Sequence, residues 1–394
     1  MLPFLSFLKR AYYNKNLGGH RMIIKNGFVF EENGTFVKRD LGILPNHTIT
    51  SEEELVQLAS HTETKTMDAE GLYIIPGLVD VHIHGAVGHD FCDNSVEGLI
   101  EIATYLKKHG ITSFCPTSMT LPADDLREIF GTILKVPNSK DMARIAGIHM
   151  EGPYISANKK GAQNESFIQS INTSTFSSLL EACNHQISII SIAPELPGAM
   201  EFITQYQHQF SISLGHTTAN YDIAKQAFDA GAKHVTHLFN AMLPLHHRDP
   251  AVIGAASDSP HVTVELICDG IHLHPSIIRM IFGLFGDDRT ILVSDAMRAA
   301  GMEDGMYDLG GLEVIKKGKE ATLKDGSLAG SVTNLFDCMK NAVHFGIPLE
   351  SAVKAVTCNP AKSIGKDTSI GVIKPGNLAD LVIMDQDLNL VQVI

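Results

Sequence analysis

The chain contains no tryptophan, so any stacking against a ligand's ring falls to its Phe, Tyr or His side chains. Its six cysteines (Cys92, Cys115, Cys183, Cys268, Cys338, Cys358) include no Cys-x-x-Cys pair and sit mostly in apolar runs, as reduced core thiols do. That pattern argues against a disulfide scaffold and for a cytoplasmic setting. Basic residues are outnumbered, 31 against 44 acidic, giving a formal net charge of −13. Such a balance excludes non-specific nucleic-acid binding, which needs a basic face, and any anionic ligand must be captured by a local basic cluster. No stretch approaches the roughly 20 apolar residues that span a bilayer, so no membrane association is expected. A Gly-x-Gly-x-x-Gly fingerprint, the mark of a dinucleotide fold, is also missing.

What is present is length and rhythm. At 394 residues the chain suffices for one large α/β domain plus a smaller one without covalent staples. Residues 1–21 open with an apolar stretch too short for a signal core, followed by Lys9 and Arg10 with no small-residue cleavage site. A fresh start at Met22 makes them look like an appended leader, expected to be disordered. Over residues 22–75 short apolar segments are broken by the turn pairs Asn26-Gly27 and Asn33-Gly34, the spacing of a small antiparallel sheet. After Pro76 eight short apolar runs (78–82, 111–115, 143–149, 187–192, 210–214, 234–238, 263–268 and 290–294) alternate with helix-length segments such as 95–109 and 221–230, closed by Gly110 and Gly231. This alternation predicts parallel strands with helical crossovers, and eight repeats fit a TIM-like (β/α)8 barrel over residues 76–365. Turn-and-strand character returns over 366–394. The two chain ends, 22–75 and 366–394, are therefore expected to combine into a small β-sandwich domain.

His82 and His84 close the first run, and in an extended chain alternate side chains share a face. Alone, a His-x-His more often marks two ordinary histidines near a strand end. Barrel chemistry gathers at the C-terminal strand ends, and ligand-type residues recur there. The third run ends His149-Met150-Glu151-Gly152-Pro153 and the fifth Leu214-Gly215-His216. The sixth ends Thr236-His237-Leu238-Phe239-Asn240-Ala241 and the eighth Val293-Ser294-Asp295-Ala296. Taken singly these are a solvated Glu, turns and a helix cap; together they point to a metal centre. Histidine nitrogens with a carboxylate suit Zn²⁺ or Fe²⁺, and such an ion brings the pKa of water from 15.7 to about 7. Asp295 is the candidate general base and acid, with a fourth-ligand or capping role as its alternative. His246-His247-Arg248 reads as a solvated loop, His274 before Pro275 as a helix cap, and Asn359-Pro360-Ala361 as a helix-end turn.

The motifs Pro-Gly-Leu-Val-Asp-Val-His-Ile-His-Gly, His-Met-Glu-Gly-Pro, Leu-Gly-His-Thr, Thr-His-Leu-Phe-Asn-Ala-Met and Val-Ser-Asp-Ala resemble the amidohydrolase superfamily, and within it the N-acetylglucosamine-6-phosphate deacetylases. The resemblance runs from about Met22 to the C-terminus. It implies that Glu151, His216 and His237 hold the principal metal, that Asp295 is the catalytic acid–base, and that His82 and His84 help hold a second metal in members with two. Some members lack this pair and work with one metal, so one or two ions per subunit are expected. It further implies that Asn240 and Ala241 lie where a sugar phosphate binds, and that Arg248 and His272 match phosphate-binding positions, with a neighbouring subunit of a homodimer as their source. Gln163 stands where many members have a histidine that contacts the substrate's amide oxygen. An amide N–H donates the same hydrogen bond but carries no positive charge. The implied reaction is deacetylation of N-acetyl-D-glucosamine 6-phosphate to D-glucosamine 6-phosphate and acetate, with the galacto epimer as the alternative substrate. Cyclic-amide hydrolysis ranks lower, because Glu151 takes the bridging position that a carboxylated lysine holds there. A catalytically dead scaffold barrel ranks lower still, because Glu151, His216, His237 and Asp295 are all intact.

Overall fold

Eight parallel strands, each hydrogen-bonded to the next in chain order, organise the computed structural model. It describes residues 21–61 and 63–394; the leader expected over 1–21 lies, but for Arg21, outside the described residues. The strands are β1 (Leu78–Ile83), β2 (Ile111–Ser118), β3 (Ile148–Glu151), β4 (Ile187–Ile192), β5 (Ser211–Leu214), β6 (His234–Val235), β7 (Thr263–Ile267) and β8 (Thr290–Val293). The seam between β8 and β1 is narrow, since the Asp295 N–H donates to the His82 carbonyl at 2.9 Å. The result is a nearly closed (β/α)8 barrel. Strands covered on both faces need no polar alternation, which is why β1, β2 and β4 are buried along their whole length. Val79, Cys115, Ile189, Ile267 and Ile291 pack in one cluster although they come from five strands, a contact that only the inside of the barrel allows.

Helices follow the strands with the expected caps. Ser95 caps Val96–Lys108, which Gly110 closes at φ 82°, and Asn220 caps Tyr221–Asp229, closed by Gly231 at φ 118°. His274 caps Pro275–Phe285 as predicted. Asn359-Pro360-Ala361 differs from expectation: it lies inside the short helix Cys358–Ser363, where the Asn359 side chain donates to the Thr290 carbonyl at 2.8 Å and pins the start of β8. The expected third run over 143–149 is split into Arg144–Ile145 and β3 by Gly147, whose φ of 132° turns the chain. A Cβ at Gly147 would lie 1.9 Å from Ser188 Oγ, so only glycine fits.

The chain ends do pair, but in one mixed sheet of six strands (Met22–Phe30, Phe36–Ile43, Lys65–Asp68, Tyr73–Pro76, Leu381–Met384, Leu390–Val393) where a sandwich of antiparallel strands was expected. Asn26-Gly27 is not a hairpin turn. It forms a bulge within the first strand, with Asn26 at φ 62° and its N–H donated to Asp40 Oδ1 at 3.0 Å. The bulge lets one strand pair with Lys65–Asp68 along its first half and with Tyr73–Pro76 along its second. A three-stranded antiparallel sheet, Gly305–Leu309, Leu312–Lys317 and Glu320–Leu323, follows β8 and had no counterpart in the sequence reading. Among the described residues no helix is long and apolar enough to cross a membrane.

Candidate metal centre and active site

The strand ends that carry ligand-type residues end abruptly. The sixth run stops as a strand at Val235 rather than residue 238, because His237, Phe239 and Ala241 adopt φ of 29°, 77° and 52°. His216 after β5 (48°) and Asp295 after β8 (47°) bend the same way. Left-handed backbone is uncommon for residues with a Cβ and costs free energy. Here it turns three reactive side chains into one mouth of the barrel.

Glu151 lies at the centre of that mouth. Its Oε1 is 3.1 Å from His216 Nε2 and 3.0 Å from His237 Nε2, and the two nitrogens are 3.2 Å apart. On the other side His82 Nε2 lies 3.5 Å from Glu151 Oε1 and 3.4 Å from Asp295 Oδ1. His84 Nε2 lies 3.4 Å from Glu151 Oε2 and 3.3 Å from Asp295 Oδ1. All six side chains are buried. Three of the four imidazoles are oriented by acceptors on their outer nitrogen: His216 Nδ1 donates to the Lys159 carbonyl at 2.9 Å, His84 Nδ1 to the Thr117 carbonyl at 3.1 Å, and His82 Nδ1 to Glu265 at 2.9 Å. Each then presents the lone pair of Nε2 inward, the arrangement that metal-binding histidines require. His82 Nε2 has no hydrogen-bond partner although buried. Both Glu151 with His216 and His237, and His82 with His84 and Asp295, form groups close enough to hold an ion. The donor set therefore fits a divalent cation on chemical grounds.

The local field favours positive charge. Burial alone would raise the pKa of Glu151, but His82 and His216 beside it hold it well below the usual carboxylate range. Asp295 is likewise held below it by His82 and His84, against the effect of its burial. Conversely His84, which burial would depress, is pushed up to about 10 by Asp295 and Glu151.

Other predicted residues fall in different relations to this centre. Gln163 is buried, with Oε1 accepting the Thr120 N–H at 2.7 Å and Nε2 donating to Glu151 Oε2 at 2.8 Å. Because a backbone N–H only donates, the amide has one orientation, and Gln163 is committed to the central carboxylate. Asn240 Nδ2 donates to the His237 carbonyl at 3.3 Å, bracing the turn, and the Ala241 carbonyl accepts the Thr217 N–H at 3.1 Å, tying the turns after β5 and β6 together. His272 Nδ1 is 2.7 Å from Asp269 Oδ2. Arg248 does not join them: it is exposed, with its guanidinium against His247 at 2.6 Å. His149 is a structural residue, both of its nitrogens being occupied by the Val81 carbonyl at 3.0 Å and Ser191 Oγ at 2.8 Å, and burial lowers its pKa to about 3. The sequence reading missed Glu265 on β7 and Glu195, which accepts the N–H and hydroxyl of Thr218 and the hydroxyl of Thr217. A signal for Glu265 was present: a lone carboxylate inside the apolar run Val264-Glu265-Leu266-Ile267 must find partners in the fold.

Known proteins share this frame. The N-acetylglucosamine-6-phosphate deacetylase of Vibrio furnissii is 35% identical over 321 residues, 80% of each chain. The N-acetylgalactosamine-6-phosphate deacetylase of Escherichia coli O157:H7 is 30% identical over 355 residues, 89% of this chain and 94% of its own. A mutant N-acetyl-D-glucosamine-6-phosphate deacetylase from Mycobacterium smegmatis, solved in complex with N-acetyl-D-glucosamine-6-phosphate, superposes with a TM-score of 0.85 at 29% identity over 96% of this chain and 98% of its own. Residues 73–394, which hold every one of the side chains around Glu151, match the sequence pattern of the amidohydrolase family, and the chain belongs to that family.

Proposed function

We propose that this chain hydrolyses N-acetyl-D-glucosamine 6-phosphate to D-glucosamine 6-phosphate and acetate, as a metal-dependent deacetylase. The observation that carries the reading is the convergence of His216, His237, His82 and His84 on the two oxygens of Glu151, with Asp295 beside the His pair. The names of relatives at 35% and 34% identity supply the substrate. Glu151, His216 and His237 would hold one ion, and His82 and His84 together with Glu151 would help hold a second, with Zn²⁺ or Fe²⁺ suited to the donors. A divalent ion there supplies Lewis acidity toward the acetyl carbonyl and lowers the pKa of water. Asp295, kept ionised beside His82 and His84, takes a proton from the attacking water and returns it to the amine nitrogen as the C–N bond breaks. Gln163 holds the central carboxylate in place. Asn240 and Ala241 shape the rim for the sugar phosphate, and Arg248 and His272 take the phosphate, with Arg248 contributed across a homodimer because within one subunit it joins nothing at the centre. All six cysteines are free, which suits a cytoplasmic enzyme.

The galacto epimer is a second reading, supported by the Escherichia coli relative. Acetate release from the two epimeric sugar phosphates, measured after chelation and again after restoring Zn²⁺ or Fe²⁺, tests both. The expected result is metal-restored turnover with the gluco epimer favoured. Equal rates after thorough metal removal would discard the mechanism, and a preference for the galacto epimer would discard the substrate.

A further inference from the structure

Glu265, on β7, is fully buried and lies beneath the metal centre rather than in it. Its Oε2 accepts the His82 Nδ1–H at 2.9 Å and the backbone N–H of His237 at 3.1 Å. Its Oε1 accepts the His234 Nε2–H at 2.9 Å, and His234 Nδ1 in turn accepts the Thr263 hydroxyl at 2.9 Å. An ionised carboxylate only accepts, so all three N–H groups must point at it. His82 therefore carries its hydrogen on Nδ1, and the unpartnered Nε2 faces Glu151 and Asp295 as a lone pair. The same carboxylate anchors the backbone of His237 where it bends to φ 29°.

We propose that Glu265 is a positioning residue that fixes the Nδ1–H tautomer of His82 and thereby sets the cation affinity of the His82/His84 side of the centre. This rests on the metal reading above. A carboxylate behind an imidazole also makes the inward nitrogen a stronger ligand, and loss of such a partner typically costs 10–100-fold in metal affinity.

Glu265→Gln and Glu265→Leu test it in the full chain. The backbone N–H of His237 only donates, so the carboxamide oxygen takes the place of Oε2 and still accepts from His82 Nδ1, while its NH₂ end faces His234. Glu265→Gln thus keeps the tautomer of His82 and removes the negative charge behind it, whereas Glu265→Leu removes the acceptor as well and leaves His82 free to place its hydrogen on Nε2, which blocks the lone pair. Zn²⁺ alone is the probe, titrated against a competing chelator, and the equivalent lost in His84→Ala identifies the His82/His84 side. Glu265→Leu is expected to weaken that equivalent by roughly 10–100-fold and Glu265→Gln to weaken it by a smaller factor, the other equivalent changing less in each. Nitrogen-15 spectra of the Zn²⁺-loaded protein should show His82 protonated on Nδ1 in the wild type and in Glu265→Gln, and not in Glu265→Leu. If Glu265→Leu does not fold, the weakened equivalent in Glu265→Gln decides. Unchanged Zn²⁺ affinities in both variants, equal weakening of both equivalents, or His82 protonated on Nε2 in the loaded wild type overturns the proposal. A wild type that takes up no Zn²⁺ ends the metal reading itself, whereas a wild type that binds Zn²⁺ and releases acetate while both Glu265 variants behave identically to it ends this inference alone.

Discussion

Asp295 and Gln163 both touch the charged centre, and their different chemistry separates a proton carrier from a support. Asp295 lies 3.3 Å from His84 Nε2 and 3.4 Å from His82 Nε2, close enough to be either a proton acceptor or a ligand. As acid–base it should be dispensable for metal uptake: Asp295→Asn is expected to keep its metal content while kcat falls by about 10²–10⁴-fold, checked by elemental analysis beside acetate release. Loss of metal in parallel with turnover would make it a ligand instead. Gln163→Leu should act on stability, since it strands the Thr120 N–H and one oxygen of Glu151 in a buried site, at a cost of about 1–3 kcal/mol in urea unfolding. The positions of Glu151, His216, His237 and Asp295 were legible because each follows an apolar run at the same end of a barrel strand. The role of Gln163 was not, because its two partners stand 43 and 12 residues away and only the fold brings them together. Glu265 is the extreme case, 183 residues from His82.

At the scale of elements, turn chemistry proved less readable than strand and helix periodicity. Asn-Gly permits positive φ, and both a hairpin turn and a bulge need it; which one forms depends on the pairing partner, here Lys65–Asp68 and Tyr73–Pro76, lying far along the chain. The same distance effect joins the chain-end sheet to the barrel. Asp380, just before the strand Leu381–Met384, accepts from Arg144 with both oxygens at 2.6 Å, and Lys107 and His47 lie 3.8 Å away. Burial would raise its pKa, but the His47 contact and the Arg144 and Lys107 charges hold it below the usual value. A depressed folded-state pKa contributes stability that is present above the unfolded-state value of about 3.9 and is lost as pH falls through the folded value. Asp380→Asn is accordingly expected to unfold about 2 kcal/mol more easily at pH 7, and the difference from wild type should shrink as the pH drops below about 4. A difference that persists undiminished at low pH would assign the loss to packing rather than to charge.

Under the proposed function a molecule of net charge −13 must still capture a phosphate, which places a demand on the few basic groups near the barrel mouth. His272 is held by Asp269, and Arg248 stands exposed on its loop with no contact to the Glu151 centre of its own subunit. In the proposed homodimer, an arginine presented outward in this way serves the site of the other subunit. Arg248→Ala should then raise KM for the phosphorylated sugar by about tenfold or more, the loss expected for a charge-assisted phosphate contact, with little change in kcat. The decisive form of the experiment mixes two poor enzymes. If Arg248 acts across a twofold dimer, co-refolding Arg248→Ala with Asp295→Asn chains in equal amounts pairs an intact Asp295 on one chain with an intact Arg248 on the other, and roughly a quarter of all sites should regain a wild-type KM. If Arg248 serves its own subunit, every site in the mixture still lacks one of the two groups and activity stays at the average of the parents. Recovery in the mixture, read from acetate release at low substrate, therefore distinguishes a phosphate site completed by the dimer from one contained in a single barrel.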